Sequence, residues 1–450
     1  MSDSRGQRAR QRALCVAVGP AEEQDLEELA ELLRTSGVVV AGTLTQQRRH
    51  ADPNTYLGPG KVNEASAEAR AADANLVACD DELSARQERN LEAAVGLPVV
   101  DRSAIILDIF AAHASSAEGK LQVELAQLEY NLARMRGLWS HLERLGGGIG
   151  TRGPGETQIE TDRRLARDRI ATLRRRLERV KGSRAVMRAE RERGGLPRIA
   201  LAGYTNAGKS TLLNAAVAEW GGGGTSSAGP EAGANGNGRQ ARHHNGAPPK
   251  GAVSVGDRLF HTLDPTTRVV RPDGRAYLLT DTVGFIRKLP HQLVEAFGAT
   301  LEETRRAELV LHVVDASAPE PRRMQMVGAV EDTLREIGAD EVPRVLVLNK
   351  IDLVEKAARE DLLTEHPGAV LVSAETGDGL DSLAAAIDRE LRQTLRSVEL
   401  LVPYSDGTSL AALHELGGAL RRQDTPEGVR VWALLPERLA GRFARFAVAS

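Results

Sequence analysis

From Ala13 to about Ala111 the chain alternates short apolar runs with longer stretches of mixed polarity. Ala13–Val18, Gly37–Val40, Leu76–Cys79 and Pro98–Val100 are apolar runs of strand length, and the segments between them carry apolar residues at helical spacing. This alternation predicts a small α/β domain over residues 1–112. A different period begins beyond it. Leu121, Leu125, Leu128, Leu132, Met135, Trp139 and Leu142 keep a four-three spacing. After a glycine-rich bend, Gly146 to Gly155, the spacing resumes with Ile170, Leu173, Leu177 and Val180. Two apolar seams joined by one short bend predict an antiparallel helical hairpin within residues 113–195, an arm of about 45 Å from roughly 30 residues at 1.5 Å each.

Residues 196–395 return to short buried-strand runs, Ile199–Ala202, Ala276–Thr280, Val345–Leu348 and Val370–Val372. They are interrupted at 221–250 by glycine clusters and Pro248-Pro249, which cannot bury enough apolar surface to order themselves; a disordered insertion is expected there. Beyond 396, Val398–Val402 and Val429–Ala433 read as strands and Leu410–Leu420 as a helix, a small α+β domain.

The turns at the ends of these strands carry the chemistry. Ile199–Ala202 runs into Gly203-Tyr204-Thr205-Asn206-Ala207-Gly208-Lys209-Ser210-Thr211, a GxxxxGKS turn that opens a helix. Its backbone N–H groups and the helix N-terminus suit phosphates, Lys209 suits the β- and γ-phosphates, and the Ser210 hydroxyl suits magnesium. Asp281 ends the next strand, placed for the second shell of that ion, and Gly284 stands where a backbone N–H must approach the γ-phosphate. Asn349-Lys350-Ile351-Asp352 closes another strand. The Asp352 carboxylate can accept from guanine N1–H and the exocyclic amine together, a pair adenine does not offer. Ser373-Ala374 would support the base on its other edge. The four strings in order predict a GTPase domain with GTP as substrate and Mg2+ as cofactor. Between the first two strings, Thr262 is the expected magnesium-completing threonine, with Thr266 and Thr267 as alternatives. Lys209, Thr262 and Gly284 are the contacts expected to matter in the transition state.

With these strings in place, the chain resembles the HflX family of translational GTPases. Besides the GTPase strings it carries Tyr56-Leu57-Gly58-Pro59-Gly60-Lys61, Asp108-Ile109-Phe110-Ala111, Thr262-Leu263-Asp264-Pro265-Thr266-Thr267-Arg268 and, most specific, Gly153-Pro154-Gly155-Glu156-Thr157-Gln158-Ile159-Glu160-Thr161-Asp162-Arg163-Arg164. The resemblance implies binding to the large ribosomal subunit and its rRNA, and the splitting or rescue of stalled or idle ribosomes. It also keeps open a second nucleotide, ATP, at the N-terminal domain, although Gly58-Pro59-Gly60-Lys61 read by itself is more often a turn before a helix. Arg134, Arg136, Arg144, Arg152, Arg163 and Arg164 gather around the bend. As charges alone they fit a solvated helix face equally well; the resemblance makes them the expected RNA contacts.

Two positions shape the expected rate. Phe285 stands where many GTPases carry a glutamine that orients water, so slow intrinsic turnover and activation by a partner are expected. Asn206 resembles the asparagine of GTPases that place K+ beside the phosphates; bracing the loop is its plainer role. A second function class remains: an RNA-binding ribosome-assembly or RNA-remodelling factor that uses hydrolysis to time release.

The 450 residues suffice for several cored domains, and a formal net charge of −3 confines any RNA surface to a local patch. Cys15 and Cys79 have no metal-ligand spacing and read as buried thiols of a reducing compartment. The residues up to Arg12 lack the apolar core of a secretory signal, and no run approaches the ~20 apolar residues of a membrane span. A monomeric cytoplasmic protein is expected.

Overall fold

The computed structural model describes residues 11–19, 23–135, 154–194, 196–221, 259–260, 265–288, 298–393, 395–415, 421–436, 440–441 and 443–448. The strands β1 (Arg12–Val18), β2 (Val39–Gln46), β3 (Leu76–Cys79) and β4 (Val99–Asp101) form a parallel sheet in the order β2-β1-β3-β4. Parallel strands are covered on both faces, and the period-two alternation of β1 shows how. Leu14 and Val16 pack with α2 (Pro59–Ala71) and α3 (Ala85–Val95), while Ala13, Cys15 and Ala17 pack with α1 (Glu23–Ser36) and α4 (Arg102–His113). Local signals fix the helix ends. Ser84 and Gln87 form a capping box at the start of α3, and Gly96, at φ 77°, ends it in the left-handed region that only glycine enters freely.

The arm consists of α5 (Ala117–Arg134) and α6 (Pro154–Gly194). Leu125, Ile170, Leu173 and Leu177 are buried between the two helices, flanked by Leu121, Leu128 and Leu132. Arg169 and Arg174 of α6 pair with Glu124 and Glu129 of α5 at 2.6 and 2.8 Å. Forty-one residues make α6 about 60 Å long, beyond the length expected from the apolar spacing. Trp139, Leu142 and the glycine bend as far as Gly153 lie outside the described residues, as do most residues of the 221–250 insertion, and α6 takes in Pro154 and Gly155.

The central sheet has the order β10-β9-β8-β5-β7-β6, built from β5 (Arg198–Gly203), β6 (Thr266–Val270), β7 (Tyr277–Asp281), β8 (Leu309–Asp315), β9 (Arg344–Asn349) and β10 (Val370–Leu371). All neighbours run parallel except the edge strand β6, antiparallel to β7. One face is covered by α7 (Lys209–Trp220) and α11 (Leu380–Gln393). The opposite layer holds α8 (Gly298–Arg305) and α9 (Glu320–Glu336), with α10 (Lys356–Glu365) packed near the end of β9. That layer is continuous with the α1/α4 side of the N-terminal sheet, so that Ile105, Ile109 and Phe110 share a core with Phe260, Val283, Phe285 and Ile286. The rings of Phe110 and Phe260 meet edge-on at 4.6 Å and 76°.

The C-terminal unit is an antiparallel sheet of β11 (Leu395–Val402), β13 (Gly428–Pro436) and β12 (Arg421–Thr425), order β11-β13-β12, with α12 (Gly407–Glu415). The helix expected over Leu410–Leu420 begins three residues earlier, and 416–420 lie outside the described residues. Edge strand β12, Arg-Arg-Gln-Asp-Thr, has no apolar position to mark it in sequence. No described helix is long and apolar enough to cross a membrane.

Candidate functional site

Strand β5 delivers Gly203 beneath β8, where a Cβ would strike the Val313 carbonyl; only glycine fits. Gly208 turns at φ 90°, with the Asn349 amide where a side chain would go, and α7 begins at the next residue. The first N–H groups of α7 have no partners within the helix and face the turn. Lys209 lies buried in it, its Nζ donating to the carbonyls of Gly203 and Tyr204 at 3.0 and 2.8 Å. Burial lowers its ammonium to about 8, opposed by the Asp281 carboxylate. Ser210 Oγ, one residue on, donates to Asp281 Oδ2 at 2.6 Å. Thr211 comes next on α7. Thr282 is tied to the Leu201 carbonyl at 2.6 Å. At Gly284 a Cβ would stand 2.8 Å from Thr205 Cγ2 and 3.1 Å from Lys209 Nζ, so this backbone lies directly against the turn.

The other two strings come to the same end of the sheet. Asn349 Nδ2 donates to the Ala207 carbonyl at 2.9 Å and its Oδ1 accepts from Ala374 N–H at 3.0 Å, joining the P-loop to the Ser373-Ala374 turn. Ser373 Oγ donates to Asp352 Oδ1 at 2.6 Å and accepts from Thr376 N–H at 3.1 Å. The Asp352 carboxylate is thereby held by Ser373. Lys350 pairs with Asp315 at 2.7 Å. The apolar pattern alone does not single out Asp315, although its place at the end of an apolar strand, beside Ser317, marks it as a loop-facing carboxylate.

Thr262 lies outside the described residues. Its alternatives belong to β6, where Thr266 is in register with Asp281 and the Thr267 hydroxyl bonds that of Thr280 at 3.0 Å. That bond ties the Thr267 hydroxyl into the sheet. Asn206, at φ 62°, is exposed on the outer side of the turn.

Among the expected RNA contacts, Arg134 is corrected. Its guanidinium bonds Asp101 Oδ2 at 2.5 Å, Glu88 Oε2 at 2.7 Å and the Leu83 carbonyl at 3.0 Å, and lies 3.3 Å from the Tyr130 ring centre. It anchors the arm's base to the N-terminal sheet. Arg163 is half-buried and Arg164 exposed on α6; Arg136, Arg144 and Arg152 lie outside the described residues. In the N-terminal unit Gly58 N–H is taken by Gln46 Oε1 at 2.8 Å and Lys61 by Glu64 at 2.7 Å. Pro59 opens α2, so this geometry favours the helix start over a phosphate cradle.

A buried ionic chain links this unit to the turn, and no sequence motif announces it. Arg102, 2% exposed, reaches Asp80 Oδ1 at 2.7 Å and the Arg287 carbonyl at 3.0 Å. It also touches Glu28 Oε1 at 2.6 Å, an ion contact without hydrogen-bond alignment. Asp80 and Asp81 hold Lys288 at 3.1 and 2.6 Å. The Tyr204 hydroxyl donates to Glu28 and accepts from Arg287 N–H at 2.9 Å. The Asp101-Arg102 pair heading a mostly apolar helix is the signal the sequence offers.

Residues 23–111 match a family model described as GTP-binding GTPase N-terminal, and 113–191 one described as GTP-binding GTPase Middle Region. Residues 247–350 match one described as 50S ribosome-binding GTPase. The protein named GTPase HflX of Lacrimispora saccharolytica is 43% identical over 440 residues, 96% of each chain. GTPase HflX of Escherichia coli (strain K12) is 41% identical over 414 residues, 91% of this chain and 89% of that one. A solved structure of a GTP-binding protein from the archaeon Sulfolobus solfataricus in complex with GDP aligns with TM-score 0.40 and 22% identity, covering 85% of this chain and 99% of its own.

Proposed function

This chain belongs to the HflX family of GTPases and is a GTP hydrolase, and from that premise we propose that it binds the large ribosomal subunit and couples the GTP cycle to the dissociation or rescue of stalled or idle ribosomes. The observation that carries the ribosomal part is the arm. In a chain of net charge −3, the two-helix projection collects exposed arginines on one helix, Arg164, Arg167, Arg175 and Arg176 among them. Such an arm adds little to a core and suits a surface of phosphates and bases. Arg136, Arg144, Arg152, Arg163 and Arg164 are the proposed rRNA contacts. Cytoplasmic location and a monomeric state accompany this reading.

The nucleotide roles derive from the geometry. Residues Gly203 to Thr211 would cradle the phosphates, and Asp352, oriented by Ser373, would read guanine, with Asn349, Lys350 and Ala374 framing it. Gly284 would meet the γ-phosphate through its backbone. Ser210 at the head of α7 presents a hard oxygen ligand, with the Asp281 carboxylate bonded to it as the second shell, a set that fits Mg2+, and Thr262 is the switch-borne ligand. The ion supplies charge neutralisation for the phosphates. Asn206 is the proposed K+ ligand; equal hydrolysis rates in matched potassium and sodium buffers would remove it.

Sedimentation with isolated large subunits tests the proposal. Co-sedimentation with a non-hydrolysable GTP analogue, weaker with GDP, is expected, together with subunit release from intact ribosomes. Binding confined to precursor particles or free RNA would favour the assembly-factor alternative.

A further inference from the structure

Phe285 is 1% exposed within the apolar layer between the two sheets and cannot orient water. A buried hydroxyl stands close by in the phosphate-binding turn. Thr205 is 6% exposed, and its Oγ1 has no hydrogen-bond partner among the described residues. Hydroxyls around it are engaged: Ser210 Oγ donates to Asp281, Thr282 Oγ1 to the Leu201 carbonyl and Ser373 Oγ to Asp352. The two other hydroxyls of this kind, Ser103 and Thr304, belong to α4 and α8. A buried hydroxyl without a partner costs free energy in the resting fold, and valine would fill the same shape without that cost.

Two sets of contacts place this side chain. Thr205 N–H donates to the Phe285 carbonyl at 2.8 Å, and Phe285 N–H donates to the Gly203 carbonyl at 3.1 Å, so the backbone of the turn is pinned. A Cβ built on Gly284 would stand 2.8 Å from Thr205 Cγ2 and 3.1 Å from Lys209 Nζ. The threonine branch and the lysine ammonium therefore flank one point. Lys209 marks the phosphate side of a turn of this kind, and the Thr205 hydroxyl shares its Cβ with the methyl that stands there. Thr205 also borders a cleft of about 290 Å³, with room for water, whose walls include Asn206 and Ala207.

We propose that Thr205 is a catalytic residue whose hydroxyl holds the attacking water against the γ-phosphate of GTP. The inference rests on the GTPase assignment and on the phosphate roles of Lys209 and Gly284, and is independent of the ribosome. A hydroxyl has one proton to donate and two lone pairs, so it can donate to a γ-phosphate oxygen and accept from the water. In hydrolysis that water attacks the γ-phosphorus and the bond to the β–γ bridging oxygen breaks. GDP leaves with the electron pair, and the water oxygen remains in inorganic phosphate, its proton passing to the phosphate oxygens. Thr205 keeps its own proton. It supplies a share of the water-orienting role that Phe285 leaves open, which sets the slow intrinsic rate.

The test is single-turnover GTP hydrolysis without ribosomes, with GDP affinity and the melting midpoint measured alongside. T205V keeps the shape and removes the hydroxyl. A hydrogen bond to a charged group, made in the transition state, is worth about tenfold to a hundredfold in rate, and T205V is expected to lose that much. Its GDP affinity should stay within about twofold and its midpoint should equal or exceed that of the parent, since no partner is stranded. T205S, which restores a hydroxyl, should recover most of the rate. An unchanged rate in T205V overturns the proposal. So does a rate that falls only in step with GDP affinity, a lowered midpoint that exposes a structural partner, or a T205S as slow as T205V. Failure of the parent chain to bind GDP would strike the nucleotide site itself, a result distinct from each of these.

Discussion

Replacing Arg102 with methionine keeps an unbranched, though shorter, side chain and removes the cation that stands between Asp80 and Glu28. Both carboxylates are almost fully buried, at 1% and 5% exposure. Breaking a buried pair costs about 3–5 kcal/mol when the partner charge stays behind. Here each carboxylate keeps one other partner, Lys288 for Asp80 and the Tyr204 hydroxyl for Glu28. That places the expected loss at the lower end, about 3 kcal/mol. With a urea slope of about 3 kcal/mol/M, the midpoint should fall by about 1 M at pH 7.5. The pH dependence has a definite sign. Burial raises the Asp80 carboxyl, and Arg102 followed by Lys288 opposes the rise. Without Arg102 it moves higher still, so the folded variant binds its proton more firmly than the unfolded chain does. Such a group favours folding most at low pH and loses that contribution as pH rises through its raised folded value. The deficit of Arg102→Met should therefore be greatest near neutrality and narrow towards pH 5. Urea unfolding at both pH values, with hydrogen exchange at β3 and α4, measures this. A loss under about 1 kcal/mol, or a deficit that widens on acidification, would refute the buried-chain account.

Two further outcomes are expected. Ser373→Ala removes the hydroxyl that orients Asp352 at 2.6 Å and should weaken GDP binding by about 1.4 kcal/mol, or tenfold; unchanged affinity in a fluorescent-GDP titration would show that Asp352 needs no support. His312, 4% exposed on β8, is lowered from 6.5 to about 4, by burial first and then by Arg344 and Lys209. The unfolded chain takes up that proton earlier, so stability is full above about 6.5 and declines by about 2 kcal/mol between pH 7 and pH 5. His312→Leu should remove this part of the pH slope in parallel melts, and an undiminished slope would assign it elsewhere.

The GTPase class was legible because its signature is written in contiguous strings. At Gly203, Gly208 and Gly284 the fold leaves no room for a Cβ, against the Val313 carbonyl, the Asn349 amide and Thr205, and the strands in this region are plain apolar runs. The two-sided burial of β1 and the seam of the arm reflect periods of two and of four-three. What escaped depended on long-range pairing. Arg102 meets residues 74 positions before it and 185 after it, as Glu28 and Arg287 lie on other elements, and no local pattern encodes such a meeting. Arg134 reads as a tip residue because it stands just before the basic glycine-rich bend, whereas Asp101 and Glu88 wait for it at the base. Strand β12 has no apolar face, so it forms only because β13 offers an edge.

The central claim, a GTPase whose activator is the large ribosomal subunit, is tested most directly by GTP turnover in potassium and magnesium buffer with and without isolated large subunits. Slow intrinsic turnover, accelerated at least about tenfold by the subunits, is the expected result, since Phe285 leaves the water-orienting role open. Turnover that ignores the subunits while nucleotide remains bound would contradict it.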